Sequence, residues 1–103
     1  MYKLEYLPAA RKDLVEIAIY ISRELKNPRA AERLTNTLIE KCEQLCEMPY
    51  QNPAYTPVRV LKYEYRKAIV NHHLIFYWVD ETKKVITIAR VLYGRRDYGQ
   101  ILK

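Results

Sequence analysis

Residues 84–98 read KVITIARVLYGRRDY, and this stretch decides the fold. Its first ten residues are mostly apolar or β-branched, and glycine is absent until Gly94, so they predict a strand. Side chains on a strand alternate between its two faces, and both faces are mostly apolar here. We therefore expect a central strand that is covered on both sides. The alternation places on one face Ile86, Ile88, Arg90 and Leu92, and on the other Val85, Thr87, Ala89, Val91 and Tyr93.

Gly94 is expected to end this strand and to leave the polar residues 95–98 just beyond it. A buried strand that presents cationic and aromatic groups at a surface is a common way to build a site on a rigid scaffold. A solvated turn with a local ion pair is the alternative.

Upstream of this stretch the pattern also indicates a sheet. Strands are predicted at residues 65–70 and 74–79, and turns at 71–73 and 80–83. Consecutive strands with short turns form an antiparallel meander. A further short strand is expected at 58–61, after a proline-rich crossing segment at 49–57.

The first half of the chain is helical after a short strand at residues 2–7. Apolar residues at three- and four-residue steps predict helices over residues 8–25 and 29–48, with Asn27 as the cap of the second and Pro28 at its first position. The short connection makes them an antiparallel hairpin. The predicted fold is a single α+β domain, residues 1–103, in which the elements follow the order β-α-α-β-β-β and the helical hairpin packs on a small, mainly antiparallel sheet.

Charge is unevenly distributed along the chain, whose formal net charge is +6. The excess of Lys and Arg lies in residues 59–103, which favours a surface that meets a polyanion or an acidic protein. No run of 18 apolar residues and no signal-like start are found, so we expect a cytoplasmic protein without a membrane span. Cys42 and Cys46 are expected to be small core residues, since two thiols are too few for a metal site.

Two segments together resemble the RelE and ParE superfamily of toxins. They are LIFYWVD at residues 74–80 and RVLYGRRD at residues 90–97, and YLPAA at residues 6–10 is similar to the start of the first helix in those toxins. The resemblance covers nearly the whole chain. It implies a type II toxin–antitoxin toxin that is wrapped and silenced by a cognate antitoxin, with no cofactor and no metal.

The superfamily divides by activity, and RelE-like members are metal-independent ribonucleases that cut mRNA on the ribosome. That chemistry needs proton transfer at the ribose 2′-hydroxyl and the leaving oxygen, and cations around the phosphate. The resemblance places Tyr93 at the proton-transferring position, with Arg66 and Arg95 as catalytic cations. Lys62 and Arg96 could complete the phosphate clamp. Leu74, however, stands where several such nucleases carry an arginine.

ParE-like members lack that catalytic set and inhibit DNA gyrase. The run RVLYGRRD is most similar to this branch, although Tyr93 stands where a histidine is usual. We therefore favour a ParE-like toxin; a RelE-like nuclease and an antitoxin-binding module without toxicity are the alternatives, so enzymatic activity stays open. The residues expected to contact the target, whether gyrase or ribosome and mRNA, are Lys62, Arg66, Arg90, Arg95, Arg96 and Tyr98.

Three polar residues have two interpretations each. Arg90 lies in a buried strand, so it must be paired or reach the rim, and its role is either structural or functional. His72 and His73 lie in a predicted turn, where histidines are usually exposed. One of them, but not both, could substitute for the missing arginine, because neighbouring residues of a strand point to opposite faces.

Overall fold

The computed structural model describes residues 2–54 and 63–94. The helical part comprises α1 (Pro8–Ile19), a π-helical turn (Tyr20–Glu24) and α2 (Pro28–Gln44). The strands are β1 (Lys3–Tyr6), β2 (Arg66–Val70), β3 (His73–Asp80) and β4 (Val85–Tyr93). This is the predicted β-α-α-β-β-β order. The short strand predicted at 58–61 lies outside the described residues.

The four strands form one sheet in the order β1-β4-β3-β2. β2 and β3 pair antiparallel, as do β3 and β4, while β1 lies parallel to β4, with Lys3 opposite Val85. β4 therefore lies inside the sheet, and residues 86–89 are buried on both of its faces. The prediction of a central strand covered on both sides is confirmed.

The helices begin where the sequence predicted them to begin. Pro8 occupies the first turn of α1, where its missing N–H costs nothing, and the Asn27 side chain accepts a hydrogen bond from the Ala30 N–H at 3.1 Å. The ends differ from the prediction. α1 stops at Ile19 and continues as the π-helical turn, in which the Leu25 N–H donates to the Tyr20 carbonyl, and α2 stops at Gln44 rather than near residue 48.

The helical hairpin packs on one face of the sheet and forms the main core. Leu38, Ile86 and Ile88 are fully buried there, and Leu14, Ile17 and Leu34 pack against them. Cys42 is buried in the same core, and burial raises the pKa of its thiol to about 11, so it behaves as a small apolar residue. A smaller cluster on the opposite face contains Tyr65, Phe76, Ala89 and Leu92.

A β-bulge in β4 changes the alternation that the sequence predicted. Tyr77 of β3 lies opposite Ile88, but the preceding residue, Phe76, lies opposite Arg90, so Ala89 is an extra residue. Beyond the bulge, each residue lies on the face opposite to the one that strict alternation predicts for it. Val91 joins Ile86 and Ile88 in the helix-side core, and Leu92 joins the opposite cluster. The prediction that Leu92 shares a face with Ile88 is therefore wrong, because an inserted residue shifts the period of two by one.

Candidate functional site

A groove of about 510 Å³ lies between the end of the first helix and the end of β4. One wall comes from α1 and the π-helical turn, and the other from β4 and the first residue of β3. The residues that line this groove are Asp13, Glu16, Ile17, Tyr20, Ile21, Leu25, His73, Arg90, Val91, Leu92 and Tyr93. A volume of this size is typical of binding pockets, and mostly apolar walls with few polar groups are typical of them as well.

A buried ion pair forms the floor of the groove. Arg90 Nε donates to Asp13 Oδ2 at 2.7 Å and Arg90 Nη2 donates to Asp13 Oδ1 at 2.8 Å, so the pair is bidentate. Asp13 Oδ2 also accepts the backbone N–H of Val91 at 3.0 Å. The hydrogen bonds that Arg90 donates to Asp13 raise the pKa of Arg90, which stays charged. The carboxylate of Asp13 therefore fastens α1 to the bulged segment of β4.

His73 and Tyr93 lie opposite each other at the open end of the sheet. They are paired residues of β3 and β4, and their ring centroids are 5.1 Å apart. His73 is only 7% exposed, and its buried Nδ1 has no hydrogen-bond partner among residues 2–54 and 63–94. Burial lowers the pKa of His73, and the neighbouring His72 lowers it further, so the ring is neutral at pH 7. Tyr93, in contrast, is 57% exposed.

Large apolar side chains of the helical part are exposed both at the groove and on another face of α1. Val15 and Ile19 lie four residues apart on α1 and are exposed, and Tyr20 and Leu25 are exposed at the groove itself. Large exposed apolar side chains that lie together mark a surface that meets a partner.

At the other end of the sheet, the polar side chains are hydrogen-bonded to one another or to the backbone. Glu81 accepts hydrogen bonds from Tyr2 at 2.7 Å, from Tyr50 at 2.9 Å and from Lys84 at 2.6 Å. These bonds, with that from Lys84 largest, lower the pKa of Glu81 to about 2. Nearby, the buried Tyr77 hydroxyl donates to the Pro49 carbonyl at 2.8 Å. We call these residues, together with Arg66, the polar end.

Arg66 belongs to this polar end and is held there on three sides. Its Nη1 donates to the Asn52 carbonyl at 2.7 Å, its Nη2 lies 3.5 Å from Glu64, and its guanidinium carbon lies 4.7 Å from the centre of the Tyr50 ring. The side chain is 16% exposed. These contacts fasten the loop after α2 to the edge of the sheet.

The structure brings only part of the predicted site together. Arg90 and Tyr93 both line the groove, whereas Arg66 lies at the polar end. The remaining predicted site residues, Lys62, Arg95, Arg96 and Tyr98, lie outside the described residues. Arg90 is paired with Asp13, which agrees with the structural one of its two interpretations. The exposed part of its side chain still lines the groove.

Two groove residues were not recognised from the sequence. Asp13 lies three residues after Ala10 and four before Ile17, which is the spacing of the apolar stripe of α1. A carboxylate at that spacing indicates a buried ion pair, because an arginine in a buried strand, such as Arg90, needs an acidic partner. His73 was expected in an exposed turn. It is instead the first residue of β3, and the turn is formed by Asn71, in the left-handed region with φ 53°, and by the exposed His72.

The groove combines apolar walls with a small number of polar groups. Within residues 2–54 and 63–94, no group of three His, Cys, Asp or Glu side chains is placed to hold a metal ion. None of the described helices is long and apolar enough to cross a membrane. The groove offers apolar area, the hydroxyls of Tyr20 and Tyr93, the carboxylate of Glu16, one neutral imidazole and a compensated ion pair.

Comparison with known proteins agrees with this architecture. A family model for the ParE toxin of type II toxin–antitoxin systems, parDE, matches residues 4–98. No curated protein matches the sequence.

Three solved structures are similar in fold. A chain of the chromosomal ParDE TA system from P. aeruginosa is 22% identical, with a TM-score of 0.73 over 92% of this chain and 98% of that chain. A chain of the toxin–antitoxin complex RelBE2 from Mycobacterium tuberculosis is 19% identical, with a TM-score of 0.64 over 89% and 96%. A chain of the intact E. coli RelBE toxin–antitoxin complex is 17% identical, with a TM-score of 0.58 over 93% and 100%.

Proposed function

The chain belongs to the family of ParE toxins of type II toxin–antitoxin systems, and we propose that it inhibits DNA gyrase by binding, without cutting RNA. Family membership supports the toxin class. The choice of target rests on the positions of the two residues that a nuclease would need together.

The separation of Arg66 from Tyr93 carries the proposal. Arg66 lies opposite Tyr77 and Tyr93 lies opposite His73, so the two are separated along β3 by four residues, or roughly 13 Å at about 3.3 Å per residue. They also lie on strands on either side of β3, which adds about 10 Å across the sheet. Groups that act on one phosphate must each lie within hydrogen-bond reach of it. Arg66 is moreover occupied by Asn52 and Tyr50.

The groove supports a second part of the proposal, the antitoxin site. We expect a segment of the cognate antitoxin to cover the groove and the exposed apolar residues beside it, as an amphipathic helix or an added strand. Two of the similar structures are toxin–antitoxin complexes. The basic second half of the chain favours an antitoxin that also carries Asp and Glu.

The target is tested with purified wild type and Tyr93→Phe, which keeps the ring and removes only the hydroxyl. Each is assayed for inhibition of gyrase supercoiling and for ribosome-dependent cleavage of mRNA. We expect both proteins to inhibit gyrase, with potencies within about tenfold because at most one hydrogen bond of roughly 0.5–1.5 kcal/mol is lost. Charge reversal of Arg95 or Arg96 is expected to weaken the inhibition.

Two outcomes would contradict the proposal. Ribosome-dependent cleavage by the wild type that falls about 10²–10⁴-fold in Tyr93→Phe would assign a nuclease. A wild type that arrests no growth when expressed alone, yet binds its antitoxin, would assign a binding module.

A further inference from the structure

The groove contains one polar atom that the protein itself leaves unsatisfied. Within the part of the chain that the structure describes, His73 Nδ1 is buried and has no hydrogen-bond partner, whereas the carboxylate of Asp13 on the groove floor accepts three hydrogen bonds. An unpaired buried polar atom is uncommon in a folded protein and calls for an explanation. It lies beside a groove whose rim is apolar and exposed.

The burial of Nδ1 assigns the tautomer of the ring. A neutral imidazole carries its hydrogen on one nitrogen and has a lone pair on the other. Placing the hydrogen on Nδ1 would bury an N–H without an acceptor, which folded proteins avoid more strictly than a buried lone pair without a donor. The hydrogen therefore belongs on Nε2, and Nε2–H is the donor that His73 has left for a ligand.

The charges around His73 indicate which acceptor fits. The ionisable groups that face it are Asp13 and Glu16 of α1, Tyr20 of the π-helical turn, Arg90 and Tyr93 of β4, and His72 of the adjoining turn. Arg90 is compensated by Asp13, and the exposed Glu16 lies 3.9 Å from Lys12, so these groups leave no unpaired cation beside His73. A carboxylate would lose its hydration here without a cation to pair with, whereas a neutral oxygen loses less.

We propose that His73 is the specificity-determining polar residue of the antitoxin groove, and that its Nε2–H donates to a neutral oxygen of the docked antitoxin segment, an Asn or Gln amide or a free backbone carbonyl. This inference rests on the proposed antitoxin site. The apolar walls supply area, which many amphipathic segments could fill. A segment that places only carbon over Nε2–H would remove water from this donor without pairing it, so such segments bind less well.

The test uses the antitoxin that co-purifies with the wild-type chain, and compares His73→Gln with His73→Phe. Glutamine places an N–H donor near the position of Nε2, and phenylalanine keeps the ring without a donor. We expect His73→Gln to retain the wild-type dissociation constant within about threefold and His73→Phe to lose about tenfold or more, chiefly through faster dissociation. Thermal unfolding of both variants checks that they are folded. Equal binding by wild type and His73→Phe would overturn the proposal.

The pH dependence of binding tests the neutral acceptor. The pKa of His73 lies below its ordinary value of about 6.5, and docking, which buries the ring further, lowers it again. Protonation is thus disfavoured in the complex, so affinity is constant near pH 7 and above and falls as the pH decreases through that lowered pKa. We expect this dependence to disappear in His73→Gln and to persist in His72→Gln. Binding that tightens on acidification would indicate a carboxylate acceptor and overturn the assignment.

A groove variant separates this inference from the proposed antitoxin site. Leu25 lines the groove and is 58% exposed, so Leu25→Asp leaves the core intact. If Leu25→Asp does not weaken antitoxin binding, the antitoxin site itself is wrong. If Leu25→Asp weakens binding but His73→Phe does not, the groove is the site and only the role of His73 is wrong.

Discussion

The two ends of the sheet differ in how completely their polar groups are paired. At the polar end, Glu81 accepts hydrogen bonds from three side chains and Arg66 is held by a carbonyl, a carboxylate and an aromatic ring. At the groove end, His73 has a buried nitrogen without a partner and Tyr93 is exposed. Cations, tyrosines and carboxylates occur at both ends, so residue type alone does not distinguish them.

The difference shows which end is structural and which is available for binding. Groups whose hydrogen bonds are already made have little left to offer a partner, and removing one of them mainly costs stability. Exposed apolar side chains and an unpaired donor gain when a partner covers them. The predictions below ask whether stability and binding separate in this way, and the first two each pair a fully bonded residue with an exposed one.

The largest effect is expected at the Asp13–Arg90 pair, where the groove floor resembles the polar end in being fully bonded. Asp13→Ala leaves the Arg90 guanidinium and the Val91 N–H without their partner, and should destabilise the protein by about 3–5 kcal/mol. The matched control is Glu16→Ala on the same helix, whose contact with Lys12 is exposed at 3.9 Å; it should change stability by less than about 0.5 kcal/mol. Urea denaturation measures both. Equal losses of stability in the two variants would show that Asp13 does not fasten α1 to β4.

A smaller effect is expected at Tyr77, a buried residue of the polar end. Tyr77→Phe removes the hydroxyl that donates to the Pro49 carbonyl and leaves that carbonyl unpaired, at a cost of about 1–3 kcal/mol. Tyr93→Phe is the same chemical change at the exposed end of the sheet and should stay within about 0.5 kcal/mol. Antitoxin binding should be unaffected by Tyr77→Phe. A Tyr93→Phe variant as destabilised as Tyr77→Phe would remove the distinction between the two ends.

The smallest effect is the acid sensitivity of the exposed Glu81 cluster. Hydrogen bonds hold the pKa of Glu81 at about 2 in the folded protein, below its value of about 4.3 in the unfolded chain. The carboxylate therefore stabilises the fold at pH values above the unfolded-state pKa. That contribution is lost as the pH falls through the window between the two values. Glu81→Gln should therefore flatten the thermal-unfolding midpoint against pH in this window. An unchanged pH profile in Glu81→Gln would show that the cluster contributes nothing measurable.

The sequence predicted the fold well because its signals were local. Pro8, Asn27 and Pro28 mark the helix starts, and the three- and four-residue steps of α2 identify the buried side of the hairpin. The site was predicted less well because it depends on two long-range features. The bulge at Ala89 shows no local signal, since a strand with one extra residue has the same composition. The burial of His73 follows from its pairing with Tyr93 and from the position of α1, neither of which a turn sequence specifies.

The parallel pairing of β1 with β4 has a consequence for the order of events during synthesis. β1 leaves the ribosome first, but its partner strand is the last of the described elements to be made. The groove has the same dependence, because α1 forms one wall and β4 the other. Contacts between distant parts of a chain also form late in folding. A nascent chain that still lacks β4 therefore has no assembled groove, and an antitoxin that docks there distinguishes finished toxin from unfinished chain.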